Sequence, residues 1–220
     1  VALAEKWFSP IPRRHVPRRS LPMEPMQTEE RRLTVERNVP VDALYMAFHM
    51  CSRNHPDYYA FDMLSDLLSS GRSSRFVQHL VQDKQIFNSI DAYISGSIDN
   101  GLFHIVGKPA PEKTLEEAEK AIWEELALLT EGSIDENELE KVKNRYESEQ
   151  IFNNLNYLNV ATNLAYFELI GKAEDINTEV EKYRSVTQEQ IKRAAKQTFL
   201  PENCSVLYYK AAAKGASHTP

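Results

Sequence analysis

The chain has 220 residues, of which 42% are hydrophobic and 26% are charged, with seven glycines and eleven prolines. This composition is that of an ordinary globular protein and excludes collagen, low-complexity disorder and a coiled-coil rod. The formal charge of -6 argues against a general nucleic-acid binder, because phosphate neutralisation needs clustered lysine and arginine. The sequence contains no uncharged apolar run of about 20 residues, so it predicts no membrane span. We expect a soluble protein of the cytoplasm or the periplasm, and the sequence does not distinguish between these compartments.

The first 28 residues differ in character from the rest. Residues 1–8 place apolar side chains at helical spacing, so the chain begins inside an element. The segment after them is rich in proline and arginine, a composition typical of an extended linker. An RNA-binding arm would need stacking aromatics beside the arginines, which this segment lacks. We therefore expect a piece of a longer polypeptide, with a preceding element and linker at 1–28, one domain at 29–210 and a tail at 211–220.

Period-two alternation predicts five strands after the linker. The first two lie at 31–37 and 43–50, and the second is apolar on both faces, so it should be central. Two more, at 89–98 and 102–106, form a hairpin around Asp99, Asn100 and Gly101. The last strand lies at 203–209.

Cap residues and apolar stripes predict the helices. One begins at Pro56 and ends at Gly71, and Ser73 or Ser74 should cap the next. Three more begin after Thr114, Asp135 and Thr187. An asparagine-rich stretch predicts a helix with a break near residues 153 and 154. Strand pairs separated by helix pairs predict an α+β domain with a largely antiparallel sheet and helices packed on one face.

The histidines lack the pattern of a zinc hydrolase. Such enzymes place two histidines about one helical turn apart with a nearby glutamate, so that one helix face supplies two ligands and a base. His49 and His55 are six positions apart with no acid between them, and we interpret them as a strand residue and a surface residue. We expect His104 to be a core imidazole with a hydrogen-bonded nitrogen. The other histidines are His15, His79 and His218. The sequence therefore predicts no catalytic residue, no metal ligand and no cofactor in this chain.

Other chemical motifs are also missing. The turn at 71–75 (GRSSR) lacks the second glycine of a nucleophile elbow. It could hold an anion at a helix N-terminus, but we interpret it as a helix cap with solvated arginines. The carboxylates at 116–125 and 135–149 lie at helical spacing from lysines, which predicts solvated ion pairs. Cys51 and Cys204 are predicted to be buried thiols, because two distant cysteines form no disulfide framework.

Six segments together resemble the second half of a pitrilysin or insulinase type zinc peptidase unit, the family that includes the mitochondrial processing peptidases. They follow the family order over nearly the whole chain, and the most specific are the GxSSR turn after an amphipathic helix and the closing segment. The segments are AEKWFSPIP at 4–12, VPVDALYMAFHM at 39–50, DYYAFDMLSDLLSSGRSSRFVQHLV at 57–81, GLFHIVGKPAP at 101–111, IDENELEKVKN at 134–144 and VTQEQIKRAAKQTFLPENCSVLYY at 186–209.

The resemblance implies two similar α+β halves joined by an extended linker. The zinc motif HxxEH then belongs to the first half, which this chain does not contain, so zinc is expected in the upstream half. Some second halves grip the substrate with an arginine and a tyrosine in the pattern LRxxxxLxY. Here Val81 and Asn88 stand at those two positions. This departure leaves the substrate-binding residues unassigned.

The leading functional hypothesis is the non-catalytic half of a zinc metallopeptidase, which closes a chamber and accommodates extended peptides. The chain alone would not be an enzyme, whereas its parent would be a zinc metalloendopeptidase. Its expected partners are the upstream half, a peptide substrate and, as an open possibility, further subunits of a homo- or hetero-oligomer. The alternative is a structural or assembly subunit of the same fold with no peptidase activity.

Overall fold

The computed structural model describes residues 1–15, 22 and 24–212. Within these residues, five strands and seven α-helices are accompanied by one π-helix at Phe76–Asp83 and by 3-10 turns at Ala173–Asn177 and Pro201–Asn203. The strands are β1 (Arg31–Arg37), β2 (Ala43–Ser52), β3 (Phe87–Ser95), β4 (Asn100–Pro109) and β5 (Cys204–Ala211). The α-helices are α1 (Ala2–Phe8), α2 (Tyr58–Ser69), α3 (Leu115–Glu131), α4 (Glu136–Asn153), α5 (Tyr157–Ile170), α6 (Glu179–Arg184) and α7 (Gln188–Thr198).

The strands form one sheet in the order β1-β5-β2-β4-β3. Only β1 and β5 run parallel, and the other neighbouring strands are antiparallel. β2 therefore lies in the middle, as its two apolar faces predict, while β1 and β3 are the edges. The predicted α+β class with a largely antiparallel sheet is confirmed.

One face of the sheet packs against the helices. Alternate residues of β2, namely Leu44, Met46 and Phe48, are buried, whereas Tyr45 between them is exposed. Helix α2 supplies much of the opposing surface, because its apolar side chains recur at helical spacing and are fully buried. This single face accounts for the core, so the other face of the sheet is free of helices in the described part of the chain.

The predicted helix starts at Thr114 and Thr187 are confirmed. Both residues form complete capping boxes, with the Thr114 hydroxyl accepting from the Glu117 N–H at 3.1 Å and Thr187 paired in the same way with Gln190. Each box satisfies two backbone N–H groups that a helix start leaves without partners. Local sequence thus fixes where α3 and α7 begin.

The helix after the GRSSR turn differs from its prediction. It is a π-helix, in which the Lys84 N–H donates to the His79 carbonyl five residues earlier at 2.9 Å. Neither predicted serine caps it: the Ser74 hydroxyl instead donates to the Gly71 carbonyl at 2.7 Å. Gly71, with φ of 88°, makes the sharp turn after α2 that a Cβ would disfavour.

The break predicted in the asparagine-rich stretch is confirmed, because α4 ends at Asn153 and α5 begins after the cap residue Asn156. The apolar residues of α5 are not core residues, however. Leu158, which lies at helical spacing in this stretch, is 72% exposed, and Phe167 is the only buried residue of this helix. The predicted linker and tail lie partly outside the described residues, and the domain boundaries after 28 and 210 stay predictions.

Candidate functional site

The histidines do not assemble a metal site in the described ranges 1–15, 22 and 24–212, where no group of three or more His, Cys, Asp or Glu side chains could hold a metal ion. His49 and His55 do line one cavity of about 450 Å³ at the end of β2. Nε2 of His49 lies 3.7 Å from a Glu24 carboxylate oxygen, and Nδ1 of His55 accepts the Asp57 N–H at 3.1 Å. The His49 contact is longer than a hydrogen bond, and the backbone N–H occupies one ring nitrogen of His55.

The thiols offer no nucleophile. Cys204 is buried as predicted, whereas Cys51 is only half-buried, and both are free. Burial raises the pKa of Cys51 to about 11 and that of Cys204 to about 12. Both groups are therefore protonated thiols near neutral pH. The reactive form of cysteine is the thiolate, so neither thiol is a nucleophile at this pH.

The helix-free side of the sheet carries a continuous set of apolar and aromatic residues, which we call the open face. Its members face each other across the strands: Tyr45 opposes both Val106 and Leu207, and Leu33 opposes Leu207. Leu33, Tyr45 and Tyr93 are exposed and the other members are half-buried, and an apolar surface of this kind commonly marks a binding surface. A groove of about 340 Å³ lies on it beside Leu33 and Tyr45. The open face consists of Leu33, Tyr45, Ala47, Tyr93, Leu102, His104, Val106 and Leu207.

His104 lies on this open face rather than in the core, which corrects its prediction. Its ring stacks on Tyr93 with centroids 4.9 Å apart, and Nε2 lies 2.6 Å from the Ser95 hydroxyl oxygen. The predicted hydrogen-bonded nitrogen is thus present. Burial lowers the pKa of His104, which favours the neutral imidazole at pH 7. The open face therefore gains no positive charge from this residue.

Val81 and Asn88, the two positions at which the resemblance implies substrate-binding residues, line one cavity of about 590 Å³ next to edge strand β3. The β3–β4 register shifts between Phe87 and Ser89, so Asn88 is the extra residue of a β-bulge. Gln85 and Glu112, which have φ of 51° and 70°, line the same cavity. The structure therefore brings the two positions together, but neither side chain supplies a charge or a phenol.

Two carboxylates on α3 contradict the prediction of solvated ion pairs. Glu119 is buried and accepts hydrogen bonds from Arg32 and from the Tyr208 hydroxyl at 2.6 Å. Glu125 is 1% exposed; one of its oxygens lies 2.9 Å from Nδ1 of His79, and the other has no partner within the described residues. Both fall on the apolar stripe of α3, and this position is the sequence signal that could have revealed them.

The turn arginine Arg75 is not solvated either, because it donates through Nε and Nη2 to both oxygens of Glu138 at 2.9 Å. This ion pair joins the start of the π-helix to α4. It engages one of the two arginines that an anion site at the turn would use. The interpretation of this turn as a helix start without a ligand stays a prediction, and Arg75 is not the solvated arginine that the sequence predicts.

A buried polar cluster that the sequence did not reveal lies between α2 and α6. Arg53 donates to Glu179, and both side chains are 8% exposed. The Tyr183 hydroxyl donates to an Asp62 carboxylate oxygen at 2.5 Å. Arg53 also lies over the Tyr58 ring, 4.4 Å from its centroid. These residues come from three separate segments, namely the loop after β2, helix α2 and helix α6, so no local pattern could predict their meeting.

Comparison with known proteins relates these features to a family. The chain matches the family described as the peptidase M16 inactive domain over residues 1–146. It is 24% identical over 197 residues to the uncharacterized zinc protease YmxG of Bacillus subtilis, covering 89% of this chain and 47% of that protein. The chain thus spans about half the length of this curated relative.

Solved structures share the fold. A protease from Helicobacter pylori superposes with a TM-score of 0.85 at 22% identity, covering 95% of this chain and 51% of that one. An inactive peptidase domain from Bordetella parapertussis superposes with a TM-score of 0.73 at 17% identity, covering 84% of this chain and 99% of that one.

The described residues contain no helix with the length and apolar character needed to cross a membrane. The family match covers well over half of the chain, and the α+β architecture agrees with the solved inactive domains. The resemblance to the second half of a pitrilysin or insulinase type peptidase unit is confirmed: the chain belongs to the family of peptidase M16 inactive domains.

Proposed function

We propose that this chain is the non-catalytic half of a two-part zinc metallopeptidase and that its open face lines the space in which extended peptides are held. The observation that carries the proposal is an apolar sheet face without helices in a chain about half as long as its curated relative. A face of this kind is stabilised when a second body shields it from water. The upstream half of the same polypeptide is the proposed partner.

The chemistry is assigned to that upstream half. The described residues of this chain contain no group of three or more His, Cys, Asp or Glu side chains that could hold a metal ion, and neither cysteine is activated as a thiolate. Zinc and the general base would therefore come from the upstream half. This half would contribute the wall of the enclosed space and, at edge strand β3, backbone groups free to pair with an extended peptide.

The test uses the full-length parent, meaning the two-part protein proposed here. Leu33→Ser makes the open face polar, and Leu128→Ser makes the same change on the outer side of α3; the two leucines are 61% and 57% exposed. We expect Leu33→Ser to lower kcat/KM for an unstructured peptide about tenfold, the loss of roughly one buried apolar contact, and Leu128→Ser to leave it unchanged.

Zinc content and the thermal midpoint should be equal in both variants. A lower kcat/KM in Leu33→Ser then reflects the changed open face rather than unfolding. Equal activities of Leu33→Ser and Leu128→Ser would contradict the assigned role of the open face. A zinc-loaded parent that hydrolyses no peptide would favour the alternative, a structural or assembly subunit.

A further inference from the structure

A second cavity of about 330 Å³ lies on the helical side of the molecule, beside the buried polar cluster of α2 and α6. Its volume is at the lower end for ligand sites in proteins. Four carboxamide side chains and four tyrosines line it, so we call it the amide cavity. These residues are Gln150, Asn153, Asn154, Asn163, Tyr58, Tyr146, Tyr166 and Tyr183.

The carboxamides come from two elements that the chain break brings together. Gln150 and Asn153 end α4, Asn154 follows, and Asn163 lies on α5. Within the described residues, none of these four side-chain amides donates or accepts a side-chain hydrogen bond. Each offers two N–H donors and one carbonyl acceptor, which can pair with the C=O and the N–H of a peptide group. The asparagine-rich stretch thus forms a surface able to pair with amides.

The charged groups of the cavity already have partners. Arg53 is paired with Glu179, whose second carboxylate oxygen accepts from the Tyr59 hydroxyl at 3.2 Å, and Asp62 accepts from Tyr183. A strongly charged ligand would have to compete with these pairs in a buried setting, at a high cost in desolvation. The groups left for a ligand are uncharged hydrogen-bonding amides and aromatic edges.

Contacts inside the protein cover one face of three of the four tyrosines, which disfavours a sugar ring at these three. A sugar stacks on an open aromatic face, but one face of Tyr146 is covered by Tyr183 at 3.6 Å between centroids. Tyr58 is likewise covered by Arg53. What these rings leave accessible suits apolar side chains of a narrow, extended ligand.

From this arrangement we infer that the amide cavity is a binding subsite for a short, uncharged peptide segment, held through its main-chain amides. The inference rests on the proposed function, since it gives the non-catalytic half its own contact with the peptide. It places that contact on the helical side of the sheet, opposite the open face, so the segment bound there is one that lies outside the enclosed space.

The test is a titration of the 15N-labelled 220-residue chain with N-acetyl-Ala-Ala-Ala-amide, followed by the side-chain NH₂ signals of asparagine and glutamine. We expect saturable shifts of the Asn153, Asn154 and Asn163 signals. The double variant Gln150→Ala with Asn163→Ala should bind about tenfold more weakly or worse, because each lost hydrogen bond weakens binding several-fold. Asn137→Ala, which removes an exposed amide at the other end of α4, should bind as the unmodified chain does.

Shifts confined to the β3 edge, no saturable shifts, or equal binding by the double variant would each overturn the inference. The inference would also be overturned if maltose shifted the Asn153, Asn154 and Asn163 signals and the capped peptide did not. Thermal unfolding serves as the folding control for both variants. A parent that hydrolyses nothing while its amide cavity binds the peptide would overturn the proposed function alone. A parent that hydrolyses peptides without cavity binding would overturn this inference alone.

Discussion

Arg32 on edge strand β1 forms a two-pronged ion pair with Glu119 of α3, donating to one carboxylate oxygen at 2.9 Å and to the other through Nη2. The same carboxylate accepts from Tyr208 on β5 and from the Trp123 indole at 3.3 Å. One buried side chain therefore ties the parallel β1–β5 pair to the helix layer. This is the part of the sheet farthest from β3.

Replacing this carboxylate should loosen the β1 edge. Glu119→Gln keeps the shape but removes the charge that Arg32 and Tyr208 are bonded to. We expect it to lower the free energy of unfolding by about 1–3 kcal/mol, the range for hydrogen bonds to charged groups. Urea unfolding measures the change, with Glu116→Gln on the exposed side of α3 as the control. Equal stabilities of the two variants would show that the contact carries no net stabilisation.

The same contact predicts that the stability of the folded chain depends on pH in the acidic range. Burial alone would raise the pKa of Glu119, but hydrogen bonds from Arg32 and Tyr208 outweigh it and leave the pKa below its ordinary value of 4.5. A carboxyl whose pKa is lower in the folded state adds stability above the unfolded value and loses it as pH falls through the folded value. The stability difference between the unmodified chain and Glu119→Gln should therefore shrink as the pH is lowered below about 4.5.

Asp66 on α2 should act in the opposite direction. Burial, reinforced by the charge of Asp62, raises its pKa to about 6 from an ordinary value of 3.8. The folded state thus prefers the protonated carboxyl, and the stability it contributes below the unfolded pKa is lost as pH rises through the folded pKa. Relative to Asp66→Asn, the unmodified chain should lose about 1 kcal/mol between pH 5 and about 7.5, allowing for solvent screening.

The measurement is the thermal midpoint of both proteins across that pH range, since groups shared by the two cancel in the difference. Asp91→Asn, at an exposed position of β3, is the matched control. If the difference in thermal midpoint between Asp66→Asn and the unmodified chain stays constant with pH, the pKa of Asp66 is not raised in the folded state.

Core leucines of α2 and the exposed leucine of α5 should respond very differently to truncation. Leu64 and Leu67 are at most 1% exposed, so Leu64→Ala or Leu67→Ala should cost about 2–5 kcal/mol of unfolding free energy. Leu158→Ala, at a position 72% exposed, should cost less than about 0.5 kcal/mol. Denaturant unfolding distinguishes the two cases. A large loss of unfolding free energy in Leu158→Ala would show instead that α5 packs against the core.

These contrasts show how far sequence reasoning reaches in this fold. Capping boxes and strand alternation are local, so the starts of α3 and α7 and the central position of β2 could be predicted. Leu158 has the same local pattern as a core residue, and only the tertiary arrangement leaves it exposed. Glu119 and Arg53 could not be placed because their partners lie on segments distant in the chain, at 87 and 126 positions. The amide cavity likewise requires α2 and α6 to meet the end of α4.

The most direct test of the central claim is the zinc content and peptide hydrolysis of the full-length parent before and after chelation, beside the same measurements on the 220-residue chain. We expect the parent to cleave unstructured peptides and to lose that activity on chelation while this half stays folded, because its core is packed from apolar helices and strands. The 220-residue chain should retain no stoichiometric zinc after dialysis and hydrolyse nothing. One tightly held zinc in the 220-residue chain, or a zinc-loaded parent inactive over a broad peptide library, would contradict the account.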